Sequence, residues 1–135
     1  MEIKLKDGYF HFGDTLEPLY SSQNSFFNKA TVFIVEDEKT LRDTYILKSY
    51  NTLVAKLEYT GREKIRNNYW TTYVLTISDI NDITHTTRRH LDEFLLQNCF
   101  CDGVTKLTRK QILSATEKPL IIKVCANSPF GAIIN

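Results

Sequence analysis

The sequence lacks the features that identify membrane, secreted and nucleotide-binding proteins. Its 135 residues contain no apolar run near the ~20 residues of a membrane-spanning helix. The N-terminus, Met-Glu-Ile-Lys-Leu-Lys, alternates polar and apolar residues and has no signal-peptide core. Neither GxxxxGK[ST] nor GxGxxG occurs. We therefore expect no membrane association, no cofactor and no recognised phosphate cradle.

Cysteine and histidine are also scarce. Cys99, Cys101 and Cys125 are an odd number, which favours free thiols in a reducing cytoplasm. Cys99-x-Cys101 lacks the CxxC spacing of a structural zinc site, and His85 and His90 are five residues apart, so they do not share a helix face. No strained elbow marks a cysteine nucleophile. We expect no metal, no catalytic residue and no enzymatic activity, although His90 and the three cysteines would be four metal ligands if the fold brought them together.

The overall composition carries no strong bias. Hydrophobic residues make up 42% and charged residues 24%, as in an ordinary globular protein. The formal net charge of +1 creates no global field that attracts nucleic acid. The length predicts a single domain over residues 1–135.

The clearest element is a helix over residues 84–98. Its apolar positions recur at helical spacing and predict one buried stripe. The stripe comprises Thr87, Leu91, Phe94, Leu95 and Asn98. Thr84 or Thr86 is the expected N-cap, and Asn98 or Gly103 the expected stop.

The polar positions of this helix predict two ion pairs. Arg88 with Asp92, and Arg89 with Glu93, stand four residues apart on the expected outer face.

Most of the remaining chain is predicted to form strands. The predicted strands are residues 2–6, 30–36, 40–50, 52–59, 69–78 and 120–125, with a turn at 37–39 and a second short helix at 108–114. Residues 7–29 and the tail to Asn135 are predicted to be irregular, and residues 61–68 are predicted to connect two strands. Short connections favour antiparallel neighbours. The predicted fold is therefore α+β: an antiparallel sheet of four to six strands with one principal helix and a second short one.

An aromatic-rich segment precedes the second strand. Its rings either fix an irregular segment onto the core or form a stacking platform for bases, which normally accompanies a basic groove. They are Tyr9, Phe10, Phe12, Tyr20, Phe26 and Phe27.

Residues 61–70 are the first candidate binding site. Gly61 and the pair Asn67-Asn68 suit a hairpin tip that projects into solvent. Arginine, tyrosine and tryptophan often dominate interface energies. The segment is either a solvated tip with a core tryptophan, or a basic finger for an acidic protein groove or a phosphate backbone. Its candidate partner-binding residues are Arg62, Lys64, Arg66, Tyr69 and Trp70.

Arg89 and His90 are the second candidate site. One interpretation is a satisfied pair that joins the helix start to the sheet edge, with Ser49 and Tyr50 as partners. The other is a ligand or partner contact near a helix N-terminus, where backbone N–H groups favour anions. His90 lies one residue before the buried stripe, which predicts a half-covered ring.

Several short motifs carry a resemblance to a known family. They are Gln23-x-Ser25-Phe26-Phe27-Asn28-Lys29-Ala30, Leu47-x-Ser49-Tyr50-x-Thr52-x-Val54, Trp70, and Thr86-Thr87-x-Arg89-His90-x-x-Glu93-Phe94-Leu95-x-Gln97. Over about residues 23–115 the chain resembles a family of small proteins carried by phages and conjugative elements of Firmicutes. It departs from that pattern at Ile83-Thr84-His85, where Tyr-Ser-x is more typical.

The resemblance implies a small protein of a mobile element that acts in the cytoplasm of a host bacterium. Such elements often encode inhibitors of host defence nucleases, including anti-CRISPR proteins. The expected function is therefore a non-enzymatic inhibitor that binds a host protein or nucleoprotein complex. The alternative is a nucleic-acid-binding accessory protein of the phage or conjugative element.

Overall fold

The computed structural model describes residues 3, 12–20, 26, 29–36, 42–125 and 132–135. Seven strands form one antiparallel sheet whose spatial order follows the chain order, a simple meander. The strands are β1 (Phe12–Thr15), β2 (Ala30–Glu36), β3 (Asp43–Ser49), β4 (Thr52–Ile65), β5 (Asn68–Ile77), β6 (Leu120–Cys125) and β7 (Ala132–Ile134). The predicted α+β class is confirmed, with seven strands in place of four to six.

The helices of the described residues lie in the connection between β5 and β6. A 3₁₀ turn at Ile80–Asp82 leads into α1 (His85–Leu95), which continues as one π-helical turn, Leu96–Phe100. The second helix, α2, spans Arg109–Glu117. It contacts β5 and β6, whereas α1 contacts β3. Buried side chains of both helices belong to one core cluster with Leu57 and Leu75, so both helices cover the same face of the sheet, which we call the helix face.

The start of α1 follows the sequence prediction and its end does not. Thr84 is the N-cap, and its hydroxyl accepts from the Thr87 N–H at 3.2 Å. Asn98 does not stop the helix, because its side chain donates to the Phe94 carbonyl at 3.0 Å and lies within the π-helical turn. The chain leaves helical geometry at Cys101, whose φ of 56° ends the turn.

The second helix is longer than predicted. Thr108 and Gln111 form a reciprocal capping box that fixes its first turn. The helix runs on to Glu117, three residues past the predicted end, because Ile112 and Ala115 are buried against the sheet.

The core forms between the helix face and the stripe of α1. The register aligns Leu57 with Leu75 and places both on the helix face. Leu91, Phe94 and Leu95 are all at most 1% exposed and belong to the same cluster. The predicted helix stripe is confirmed for these three residues and for Thr87, which is also buried.

Two short edge strands were predicted to be irregular, and that prediction was wrong. β1 has little strand-forming character, yet it pairs with β2 from Phe12 opposite Ile34 to Thr15 opposite Thr31. Gly13 permits this pairing, because a Cβ there would lie 2.6 Å from the Phe33 ring. β7 pairs with β6 in the same way. Neither strand has the alternation or length that sequence patterns detect.

Two other strand predictions lie partly or wholly outside the described residues. Of the predicted strand 2–6 the structure describes only Ile3, which is buried. The predicted turn 37–39 and the first two residues of the strand predicted at 40–50 are not described.

Candidate functional site

The β4–β5 hairpin extends beyond its described neighbours. β3 pairs with β4 as far as Glu58, and β6 pairs with β5 only as far as Trp70. The remaining residues of the hairpin pair only with each other among the described strands. We call residues 61–69 the finger. All of them except Gly61 are exposed.

Residues 61–68 lie at the tip of a hairpin, as predicted, but most of this connection is strand. The two strands continue to Ile65 and restart at Asn68, so the turn is only Arg66-Asn67. Their φ values are 49° and 69°. Positive φ at both positions is what a type I′ hairpin turn requires. Gly61 is therefore not a turn residue.

Gly61 instead lies at a β-bulge. The register shifts between Tyr59 and Gly61, and Gly61 has a φ of 149°, a region that favours glycine. The extra residue reverses the alternation of β4. Arg62 and Lys64 consequently point to the same side as Tyr59, the helix face.

The bulge also removes the one acidic side chain of the finger from that side. Glu63 points to the opposite face, where its carboxylate accepts from Lys123 Nζ at 2.5 Å. The helix-face side of the finger thus carries Arg62 and Lys64, whereas Glu63, which lies between them in sequence, is on the other side.

Tyr69 is the centre of this cationic side. Its ring lies 5.2 Å from the Arg62 guanidinium carbon and 6.0 Å from Lys64 Nζ. Both distances lie within the range of cation–π attraction. Tyr69 is nevertheless 49% exposed, so the cluster presents ring and charge to solvent together.

The two remaining candidates of the hairpin differ from this cluster. Arg66 is exposed in the turn itself. Trp70 aligns with Glu63 and Cys125, on the face opposite Tyr69, and is half-buried. It is neither a core residue, as one interpretation held, nor a member of the Tyr69 cluster.

The second candidate site is internal. His90 is 0% exposed, in contrast to the half-covered ring that was predicted. Its Nδ1 lies 2.8 Å from Ser49 Oγ, and Ser49 Oγ lies 3.1 Å from Thr87 Oγ1. We call Ser49, Thr87 and His90 the helix-start cluster. It joins the start of α1 to the end of β3. Ser49 is the partner that was expected, but Arg89 is not part of the cluster.

Aromatic rings enclose His90. The Phe26 ring packs edge-on at a centroid distance of 4.7 Å, and the Tyr50 ring lies at 5.9 Å. Burial and the nearby Lys29 lower the pKa of His90, so the ring is held neutral. Among the described residues none bonds to its Nε2.

Arg89 does not share the burial of its neighbour. It is exposed, whereas Glu93, its predicted ion-pair partner, is 2% exposed. Glu93 accepts from the Tyr20 backbone N–H and from Gln97, both at 2.9 Å. The prediction of Glu93 on the outer face was wrong. The Arg88–Asp92 pair is confirmed at 2.9 Å.

The cysteines divide by exposure. Cys99 and Cys125 are buried, Cys101 is exposed, and all three are free. Burial and nearby acidic groups raise the pKa of the Cys99 and Cys101 thiols, which disfavours the reactive thiolate. Within the described ranges no three histidine, cysteine or acidic side chains are grouped to hold a metal ion.

A tyrosine-lined cleft was missed at the sequence level. It has a volume of about 260 Å³ and lies on the helix face next to the finger. Burial raises the pKa of Tyr45 and Tyr73, so both hydroxyls stay protonated even above the ordinary tyrosine pKa of about 10. The sequence does show that Tyr69 and Tyr73 share one face of their strand. It does not show which residues of β4 lie beside them, because that depends on the bulge. The cleft is lined by Arg42, Asp43, Tyr45, Tyr59 and Tyr73.

Fold and site together define a small α+β protein with an antiparallel meander, an internal polar cluster and an exposed cationic finger. No helix in the part of the chain that the structure describes is long and apolar enough to cross a membrane. The sequence profile of a family of unknown function, DUF8033, matches residues 15–114, which is more than half of the chain. The chain belongs to this family. Comparison with curated proteins and with solved structures gives no match.

Proposed function

We propose that this protein is a non-enzymatic binding protein whose finger engages an acidic surface of a host protein. The observation that carries the proposal is the exposed cluster of Tyr69 with Arg62 and Lys64. Arginine and tyrosine are enriched among residues that dominate interface energies. The partner class follows from the resemblance to mobile-element proteins: a host defence nuclease or the nucleoprotein complex that contains it, in the bacterial cytoplasm.

The local charge supports an acidic partner. Arg62, Lys64 and Arg66 are all exposed, and the only carboxylate of the finger is held by Lys123 on the other face. An acidic surface would meet three cations and an aromatic ring without a repelling carboxylate. Such complementarity raises association rates and excludes partners of like charge.

A tight turn and paired strands favour recognition by a preformed finger. Because the backbone of the finger is hydrogen-bonded strand up to Ile65, little backbone entropy is lost on binding. The long side chains of Arg62, Lys64 and Arg66 can change rotamer to fit the partner's surface.

The test is affinity capture from the host bacterium, with captured proteins identified by mass. A triple variant, Arg62, Lys64 and Arg66 to Ala, should lose the partner. The matched control removes three exposed cations elsewhere, Lys106, Lys110 and Lys118 to Ala, with the same change in net charge. Equal capture by both variants would show that the finger is not the site, and Arg89 would become the next candidate.

A nucleic-acid-binding accessory role is the second candidate, because the same three cations would suit phosphates. Salt distinguishes the two roles. Contacts to several phosphates give an affinity that falls steeply with salt, whereas an interface with an aromatic anchor depends on salt less.

A further inference from the structure

The tyrosine cleft combines ring surfaces with charges of both signs. Tyr59 lies directly opposite Tyr73, with ring centroids 6.0 Å apart and ring planes at 71°. Tyr45 and Tyr73 pack against the core, and all three rings are half-buried. The exposed parts of these rings can therefore accept a flat ligand without a change in the core.

The rim of the cleft nearest the finger is cationic. The Arg42 guanidinium carbon lies 6.0 Å from the Tyr59 centroid, and its Nη1 donates to the Thr60 carbonyl. Arg62 follows on the same face, past the bulge. The rings of Tyr59 and Tyr69 and the cations of Arg42 and Arg62 thus lie close together between the cleft and the finger.

Asp43 is the one acid among the described residues that line the cleft. A carboxylate beside aromatic rings accepts hydrogen bonds from amino groups. When proteins read nucleic acids, Asp and Glu accept a hydrogen bond from the exocyclic amine of cytosine. The cleft therefore offers a stacking surface, an acceptor for a base edge and a cationic rim for phosphate.

We propose that this cleft binds one base of a single-stranded nucleic acid, with the flanking phosphates along Arg42 and Arg62. The base stacks on Tyr59 and presents its amino group to Asp43. A volume of about 260 Å³ is slightly below the usual range of ligand pockets and suits one base. A base within a duplex cannot enter, because its faces are stacked and its edge is paired.

The proposal goes beyond the protein partner and does not depend on it, because Tyr59 and Asp43 are not finger residues. The two proposals share only Arg62. A single-stranded ligand contacts the tyrosines of the cleft with a base and the neighbouring cations with its phosphates.

The experiment measures fluorescence anisotropy of labelled oligonucleotides of about a dozen nucleotides, near the site size of single-strand binding folds. The probes are oligo-dC, oligo-dT and a mixed-sequence duplex of equal length, at about 50 mM salt. We expect oligo-dC to bind more tightly than oligo-dT, and the duplex to bind more weakly than both. Contacts to about two phosphates predict a slope of log affinity against log salt of roughly −1.4.

Variants separate stacking from charge. Tyr59→Ala should weaken binding of oligo-dC roughly 5- to 150-fold, the range for loss of one stacked base, and Tyr59→Phe should keep it. Tyr59→Leu, which retains apolar volume without the ring, covers the case in which the alanine variant fails to fold. Asp43→Ala should reduce the preference for oligo-dC over oligo-dT.

Three results would overturn the proposal: no binding of either single strand, equal binding of the duplex, or wild-type affinity in folded Tyr59→Ala and Tyr59→Leu proteins. If the single strands fail to bind while the finger variant still loses a captured protein, the cleft proposal is wrong and the finger proposal stands. If Tyr59→Ala loses oligo-dC while the finger variant keeps its protein, the opposite holds.

Discussion

The helix-start cluster and the finger are both built from polar side chains, but one is buried and the other is exposed. The cluster contains a histidine and two hydroxyl residues, and its histidine is 0% exposed. The finger contains three cations and a tyrosine that is 49% exposed. A partner can reach the finger directly, but it can reach His90 only if Phe26 and Tyr50 move away from the ring. The first region therefore stabilises the fold, and the second is available for recognition.

The difference shows that register decides what a polar residue does. His90 precedes Leu91 on the buried side of α1, so its ring lies inside the protein, where Ser49 at the end of β3 bonds to Nδ1. Arg62 and Lys64 share a face with Tyr69 only because of the bulge at Gly61. Residue type alone gives neither the burial of His90 nor the face on which Arg62 and Lys64 lie.

The strongest way to break the buried region is to place a charge in the α1 stripe. Leu91→Asp buries an unpaired carboxylate and should reduce the free energy of unfolding by about 3–5 kcal/mol. Thermal melting checks this. Leu113→Asp is the matched control, because Leu113 is an exposed helical leucine and should change stability by about 0.5 kcal/mol or less. Near-equal melting of the two variants would contradict the assigned face of α1.

Ser49→Ala tests the helix-start cluster itself. It leaves His90 Nδ1 and Thr87 Oγ1 without their shared partner and should cost about 1–3 kcal/mol. Denaturant unfolding measures the loss. Ser114→Ala, on a half-exposed position of α2, should cost less. An unchanged stability of Ser49→Ala would mean that the cluster is not a structural joint.

Gly61→Ala tests whether the bulge places Arg62 and Lys64 on the same face as Tyr69. A φ of 149° strains any residue with a Cβ, by about 1–3 kcal/mol where the backbone cannot relax. We expect a lower melting temperature together with weaker capture of the partner, since relaxation of the bulge turns Arg62 and Lys64 away from Tyr69. Full capture by a destabilised Gly61→Ala protein would show that the alternation of β4 does not matter for binding.

Acid should destabilise the protein through the buried His90. The pKa of His90 is lowered in the folded protein, so its contribution to stability is complete above the unfolded value of about 6.5. That contribution is lost as the pH falls through 6.5 towards the lower folded pKa, because the unfolded chain takes up the proton first. Melting at a series of pH values between about 8 and 5 checks this. His85→Gln should keep this dependence, since His85 is exposed.

The sequence predicted the parts of the fold that repeat a pattern. The α1 stripe, the Thr84 and Thr108 caps and most of the central strands follow from periodicity and local hydrogen bonding. β1 and β7 did not follow, since their pairing depends on neighbours that are distant in sequence. The finger residues were named correctly as exposed cations, but their separation from Glu63 depends on a one-residue bulge that residue order does not reveal.

The finger variant should change stability less than any variant of the buried region. Arg62, Lys64 and Arg66 to Ala removes two weak cation–ring contacts at exposed positions, each about 0.5–1 kcal/mol at most. Repulsion among the three cations is removed as well, which offsets part of that loss. Arg66 already has a φ of 49°, so alanine adds no new backbone strain there. We expect the free energy of unfolding to stay within about 1 kcal/mol of the parent protein in denaturant unfolding. A loss as large as that of Ser49→Ala would mean that the finger is part of the folding unit, and that its cations are retained for stability instead of recognition.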